Sequence, residues 1–373
     1  MALITTQEEY NMENTTLRTV SPNGAKKSIM RAFKKKRPVF MWGPPGIGKS
    51  DIIGQITESL KKSHLIDIRL SLWEPTDIKG IPFFNQKLNT MEWAPPAELP
   101  SDPKSTAILF LDELNAAPPS VQAAAYQLIL NRRVGTYKLP EGVSIVAAGN
   151  RGTDKGVTYR MPAPLANRFV HLEMRVDFED WAMWATENHI NPQVVGYCSF
   201  AKQDLYDFDP KSGSRSFATP RSWAFVSQLL SDTLSDNTLT DLVAGAVGEG
   251  LAMKFMAHRK IASDLPNPTD ILSGKTKKMS STEVSAQYSL TISLCYELQE
   301  AYDKMKEKKL ADWHKMADCF FRFMMDNFQT ELVVMGAKVA LTNYQLPFDP
   351  SKLKSFDEFH EKFGKYVLAS VDQ

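Results

Sequence analysis

One eight-residue stretch, Gly43-Pro44-Pro45-Gly46-Ile47-Gly48-Lys49-Ser50, constrains this 373-residue chain more than any other feature. It fits G-x-x-x-x-G-K-[ST], a loop whose backbone N–H groups wrap a polyphosphate. The flanks agree. Pro38 to Trp42 is a short apolar, β-prone run, and Asp51 to Leu60 carries apolar residues at 52, 53, 56 and 60, a helical spacing. A strand, a glycine-rich turn and a helix N-terminus make an anion site, because unpaired amides and the helix dipole both favour phosphate. Residues 43–50 with Asp51 are therefore the expected nucleotide cradle. Lys49 should reach the β- and γ-phosphates, and the Ser50 hydroxyl should sit on Mg²⁺.

Four more β-like runs follow: His64–Leu70, Ala107–Leu111, Val143–Ala148 and Phe169–Met174. Helical or irregular segments separate them, which implies an α/β fold with a parallel sheet and crossover helices. Gly24–Phe33 reads as a short helix, and Ser120–Arg133 as another. Ser120 is its expected cap after Pro118-Pro119, and Val121, Ala124, Ala125, Leu128 and Ile129 form its apolar stripe. After about residue 176 the β signal stops and helical patterns run on, broken at Leu265–Ser281. The division is thus an N-terminal segment 1–23, an α/β core 24–176, a helical lid 177–264 and an α-helical extension 265–373. Within the extension Trp313, Phe320, Phe321, Phe323, Met324, Met325 and Phe328 are expected to be mostly core.

The run Ile108-Leu-Phe-Leu-Asp112-Glu113 is a buried strand ending in two acids. On a phosphate-loop protein the first holds Mg²⁺ and the second activates the attacking water. Val143–Ala148 ends in Gly149-Asn150, whose amide can orient that water. Arg168, ahead of the last strand, and Arg221, opening a helix of the lid, are the arginines available to meet charge on the γ-phosphate.

Composition excludes several classes. Hydrophobic residues at 43% and charged ones at 23% are those of an ordinary soluble globular protein. A net charge of +1 gives no bulk field toward nucleic acid or anionic membrane. Cys198, Cys295 and Cys319 are widely spaced, so reduced thiols in a cytoplasmic location are expected. No apolar run approaches the ~18 residues of a membrane span. Thr5, Gln7, Glu8 and Glu9 make the N-terminus too polar for a signal peptide. The histidines are scattered, so no catalytic metal beyond Mg²⁺ is implied.

Together these residues resemble an AAA+ ATPase, and within that superfamily the MoxR-like group. Asp112-Glu-Leu-Asn-Ala-Ala-Pro-Pro-Ser-Val-Gln122 is similar to that group's D-E-I-N-R-A-P-P-K-V-Q, with Ala116 and Ser120 in place of its Arg and Lys. Glu74-Pro-Thr-Asp77-Ile-Lys-Gly80 is similar to its D-L-L-G segment. The resemblance covers roughly residues 20–250. It implies a five-stranded parallel sheet, a helical lid and a homo-oligomeric, usually hexameric, ring that hydrolyses ATP with Mg²⁺. Gly43, Gly46, Gly48, Lys49 and Ser50 match Walker A, and Asp112 and Glu113 match Walker B. Asn150 falls at sensor 1, Arg168 at the arginine finger acting in trans, and Arg221 at sensor 2 acting in cis. Arg160 and Arg151 are alternative trans candidates.

The same resemblance implies a protein client, often one with a von Willebrand factor A domain. A hairpin at Ile81–Trp93 would face the ring pore, with Phe83 and Phe84 as candidate gripping aromatics, although at least one of the pair is expected instead to pack the hairpin onto the core. A second hairpin at Asn131–Gly142 carries Arg132, Arg133, Tyr137 and Lys138. The alternative is a nucleic-acid motor or loader of the helicase-like branch, contacting its substrate through this hairpin and Lys275–Lys278. The basic runs Lys34–Arg37, Lys275–Lys278 and Lys306–Lys309 are short and unaccompanied by a nucleic-acid-binding motif, so they read as solvated faces and nucleic acid is the less favoured partner.

Overall fold

The computed structural model describes residues 18–60, 63–154, 158–230, 235–263, 265–279, 283–307 and 309–371. Most of the N-terminal segment, together with Ser280, Ser281 and Lys308, lies outside the described residues. Chain contacts divide the protein into two compact units, with the boundary between Asp177 and Phe178.

In the first unit β1 (Thr19–Val20), β2 (Val39–Trp42), β3 (His64–Arg69), β6 (Ala107–Asp112), β9 (Val143–Gly149) and β10 (Val170–Met174) form one sheet. Its order is β1-β10-β2-β9-β6-β3 and every pairing is parallel. The five expected strands are all present. The sixth, β1, comes from the segment read as irregular; two residues carry no usable periodicity, and pairing with β10 alone makes them a strand. Strands β2, β6 and β9 are almost wholly buried, which is why their sequences are continuous apolar runs rather than alternating ones.

The crossovers are α1 (Pro22–Phe33), α2 (Lys49–Ser59), the short α3 (Pro75–Lys79), α4 (Pro119–Asn131) and the one-turn α5 (Ala163–Ala166). Helix α1 starts two residues earlier than expected, because the Ser21 hydroxyl accepts from Gly24 N at 3.2 Å and Pro22 sits in its first turn. The expected stripe of α4, from Val121 to Ile129, is buried against the sheet. Its cap differs from expectation. Pro118 is the N-cap, Pro119 begins the helix with its φ already helical, and Ser120 makes no capping bond.

Both expected hairpins occur. Strands β4 (Ile81–Asn85) and β5 (Thr90–Ala94) pair antiparallel from Ile81↔Ala94 to Asn85↔Thr90. Strands β7 (Arg133–Val134) and β8 (Tyr137–Lys138) form a much shorter one. Phe83 and Phe84 are both exposed at the first hairpin, along with Leu88 and Met91, so neither packs it onto the core.

The second unit is helical: α6 (Phe178–Glu187), α7 (Pro192–Phe200), α8 (Pro220–Leu229), α9 (Asp236–Val247), α10 (Glu249–Ser263), α11 (Pro268–Leu272), α12 (Val284–Met305), α13 (Leu310–Asn327), α14 (Thr330–Lys338) and α15 (Phe356–Val371). Helix α12 packs on α7, α13 and α14. Trp313, Phe320, Phe321, Phe323, Met324 and Phe328 are core, with Met325 partly buried beside them. The Trp313 indole donates to Leu298 O at 2.9 Å, so burial leaves its N–H satisfied. Cys198 and Cys295 are buried free thiols whose pKa burial pushes well up. Among the described residues no helix is long and apolar enough to cross a membrane.

Candidate active site

The parallel sheet sends β2, β6 and β9 in one direction, so their carboxyl ends meet along one edge. Ligands of open α/β sheets gather at that edge. Residues Gly43 to Gly48 leave β2 there and turn into α2. Gly48 is the N-cap of α2 at φ 88, a conformation that penalises any side chain, and no side chain caps the helix. The first amides of α2 and the loop amides thus open on the same space, as an anion requires.

Lys49 lies across this loop. Its Nζ donates to Gly43 O at 2.6 Å, to Pro44 O at 2.9 Å and to Asn150 Oδ1 at 3.1 Å. Asp112 ends β6 next to α2, with Oδ2 3.5 Å from Ser50 Oγ. Its other oxygen accepts from Glu113 N at 2.9 Å. Lys49, Ser50, Asp112 and Asn150, from three distant stretches of chain, are therefore one cluster.

Glu113 follows directly in the left-handed region, at φ 55, which is uncommon for a residue other than glycine. Its carboxylate accepts a hydrogen bond from the Ser71 hydroxyl and lies 3.8 Å from Arg69 Nε. Neither partner is evident from sequence. The usable signal is register, because β3 pairs with β6 so that Arg69 stands beside Asp112. Asp67, two residues back on the same strand, is a third acid at this edge. Its pKa is raised, first by burial and then by the Asp112 charge, with Arg69 pulling the other way.

Asn115 is a further residue that pattern reading missed. It is buried, and its Nδ2 donates to Asn150 O at 2.7 Å. Its Oδ1 is buried without a partner and lies against Gly149. Asn115 thus positions the end of β9, and through it Asn150.

The arginines are distributed differently. Arg168 is exposed at the amino end of the strands, on the sheet edge away from the loop, where it shares a cavity with Pro38 and Val143. Strands of four to seven residues at about 3.3 Å each separate the two edges. Arg168 therefore does not reach its own phosphate loop. Arg151 is committed within the chain, to Asp154 at 2.8 Å and Glu173 at 3.3 Å. The hydrogen bonds it donates to Asp154 raise its pKa against the opposing effect of burial. Arg160 is exposed. Arg221, in the second unit, is an exposed first-turn residue of α8, whose start is fixed by a reciprocal Thr219–Ser222 capping box.

The donor set fits Mg²⁺. That ion is held by one or two protein oxygens together with substrate phosphates and water, and Ser50 and Asp112 offer a hydroxyl and a carboxylate beside an anion cradle. Among the described residues no group of three or more His, Cys, Asp or Glu side chains could hold a metal by itself.

The parallel sheet, with its loop and strand-end acids, is that of an AAA+ fold. Residues 38–169 match the AAA domain (dynein-related subfamily). The chain is 26% identical over 197 residues to Midasin of Giardia intestinalis, which covers 49% of this chain and 4% of that protein's length. Among solved structures it is similar to a presumed ATPase from Cytophaga hutchinsonii, at 14% identity over 90% of this chain and 85% of that one, with a TM-score of 0.32. The RuvB Holliday junction branch migration motor of Thermotoga maritima aligns at 18% identity over 65% and 74%, with a TM-score of 0.35. NtrX of Brucella abortus in complex with ADP aligns at 13% identity over 96% and 72%, with a TM-score of 0.33. Likenesses this loose carry no functional information.

Proposed function

We propose that this chain binds ATP with Mg²⁺ at residues 43–51, hydrolyses it, and uses the cycle to remodel or mature a protein partner, in the manner of the MoxR-like group. The observation that supports hydrolysis is the cluster of Lys49, Ser50, Asp112, Glu113 and Asn150 at one sheet edge. The Lys49 ammonium exchanges its loop carbonyls for phosphate oxygens. Ser50 and Asp112 would hold Mg²⁺, which would supply neutralisation of charge on the phosphates. Glu113 leaves Ser71 and Arg69 and takes the proton of the attacking water at its carboxylate, while Asn150 orients that water. Sequestering Glu113 on Ser71 and Arg69 gives a resting state in which its base is engaged elsewhere.

In this reading the chain assembles as a homo-oligomeric ring. Arg168 faces outward and serves a neighbouring copy's ATP, and Arg221 of the lid acts on the chain's own. Arg160 remains the exposed alternative to Arg168, whereas Arg151 is already held by two carboxylates. The exposed Phe83 and Phe84 present an apolar tip to a polypeptide client, of which a von Willebrand factor A domain protein is the family's usual kind.

Steady-state hydrolysis decides the first half. Lys49→Ala and Glu113→Gln should each lower turnover by ~10²-fold or more, and equal turnover in Lys49→Ala would remove the enzyme claim. Affinity capture of the Glu113→Gln chain under ATP decides the second half. A protein client supports remodelling, and recovery of nucleic acid without protein would favour a nucleic-acid motor instead.

A further inference from the structure

The strand that leads into the phosphate loop carries half of a ring cluster. Phe40 and Trp42 of β2 pack with Phe169 and with His171 of β10, at centroid distances from 4.3 to 6.2 Å. The Trp42 and His171 rings stack, 6.0 Å apart with planes 21° from parallel. Unlike the other rings, His171 brings two nitrogens that need partners, and both are engaged. Its Nδ1 accepts from Trp42 Nε1 at 2.9 Å, and its Nε2 lies 2.8 Å from Ala166 O at the end of α5. A carbonyl can only accept and an indole N–H can only donate. Nε2 therefore carries the ring proton and Nδ1 the free pair, and the imidazole is held from both sides in one orientation. Ala166 O is itself fixed, since it also accepts from Phe169 N at 3.2 Å.

Trp42 is the last residue of β2, and its backbone stands in the sheet between Glu173 of β10 and Gly149 of β9, the residue before Asn150. The next residue, Gly43, opens the loop, and its carbonyl accepts from Lys49 Nζ at 2.6 Å. A Cβ on Gly43 would lie 2.6 Å from Ile47 Cδ1 and 3.1 Å from Met174 O, so the loop entry is confined between its own turn and the end of β10. The Trp42 side chain is only partly buried. Packing does not enclose it, and the bond to His171 fixes how the indole is turned.

We propose that His171 is a positioning residue for the phosphate loop. Anchored on Ala166 O, it holds the Trp42 indole and, through it, the strand end from which Gly43 departs and beside which Asn150 follows Gly149. The inference rests on residues 43–51 being the ATP site and adds a group outside the motifs that define that site. His171 is the second residue of β10, nearer the amino edge of the strands than the loop edge, so it acts through Trp42 rather than on phosphate. Its effect is on how well the loop is preformed, and therefore falls on ATP affinity more than on the chemical step.

Steady-state ATP kinetics on the full chain, with folding checked by circular dichroism, test this through two substitutions of opposite character. His171→Phe keeps the ring volume and loses both hydrogen bonds. His171→Asn loses the ring and keeps an oxygen on Cγ, where Nδ1 stands, able to accept from Trp42. Positioning requires His171→Phe to raise the KM for ATP about 3- to 10-fold, the worth of one hydrogen bond, with kcat changed less than KM. His171→Asn should stay closer to wild type. Trp42→Phe should raise KM as His171→Phe does, and the double variant should go no further, because the two changes remove one shared bond. A role in packing alone gives the opposite order: His171→Phe resembles wild type, His171→Asn is the damaged variant, and the loss falls on kcat through the folded fraction. That order, or additive effects of the two phenylalanine substitutions, overturns the proposal and leaves the ATPase reading standing. A folded wild-type chain that does not turn over ATP removes both.

Discussion

At the scale of single residues, the tightest constraint near the site falls on Gly149. A Cβ there would overlap Asn115 Oδ1 and sit 2.8 Å from Asn115 Cγ and 2.9 Å from Phe40 Cζ. Neither neighbour can retreat easily, since Phe40 is core and Asn115 is tied to Asn150 O. Gly149→Ala should therefore cost about 1–3 kcal/mol, the usual range for overpacking. It should also lower ATP turnover, because the displaced strand end carries Asn150. Denaturant unfolding of Gly149→Ala, Asn115→Ala and the double variant measures the coupling. The double variant should be less damaged than the two single losses added together, because removing the Asn115 amide removes the main clash. Additive losses would show that Asn115 is not what Gly149 accommodates.

At the scale of elements, strand, loop and helix around Lys49 were legible because each is local: an apolar run, a glycine spacing and a 3.6-residue stripe. The pairing of Glu113 with Ser71 and Arg69 was not legible, since it depends on which strand lies beside β6 and in what register. The position of Arg168 follows the same logic. Its place before a strand was readable, but the sheet edge it occupies depends on strand direction. Asn115 looked like part of a motif string, and only burial shows it as a brace. The first hairpin was legible as two apolar ends around a polar centre, yet its anchor is Gly80. That residue stands at φ 86, and a Cβ there would run into the Ala94 carbonyl, with Ala94 C at 2.8 Å. Ile81↔Ala94 is the first pair of the hairpin, so Gly80→Ala should open it from the base. Amide hydrogen exchange should quicken across residues 81–94 while β2, β6 and β9 keep their protection. Unchanged exchange there would mean that the ladder rather than its base sets the hairpin's stability.

At the scale of the whole molecule, acid sensitivity separates into windows with different owners. His258 of α10 is 5% exposed, its Nε2 lies 2.9 Å from Ser289 Oγ of α12, and its ring stacks on Phe200. Burial pulls its pKa down to about 4, from about 6.5 in an unfolded chain. Between these values the unfolded state binds the extra proton, so stability must fall as pH drops from about 6.5 toward 4, by on the order of 2 kcal/mol. Asp303, Asp312, Asp349 and Glu358 have pKa values lowered chiefly by hydrogen bonds to Lys306, Lys315, Ser351 and Lys362. Their contribution is present above the ordinary carboxylate range and is lost only below it, in a more acid window. Asp67 has the opposite sign, because a raised carboxyl pKa makes ionisation at neutral pH a cost that acid relieves. The loss between pH 6.5 and 4.5 therefore belongs mainly to His258. Thermal melts of wild type and His258→Phe across that range should show it, the wild-type curve sloping down with acid and the variant staying nearly flat until carboxylates titrate. Parallel slopes would place the proton uptake on another group.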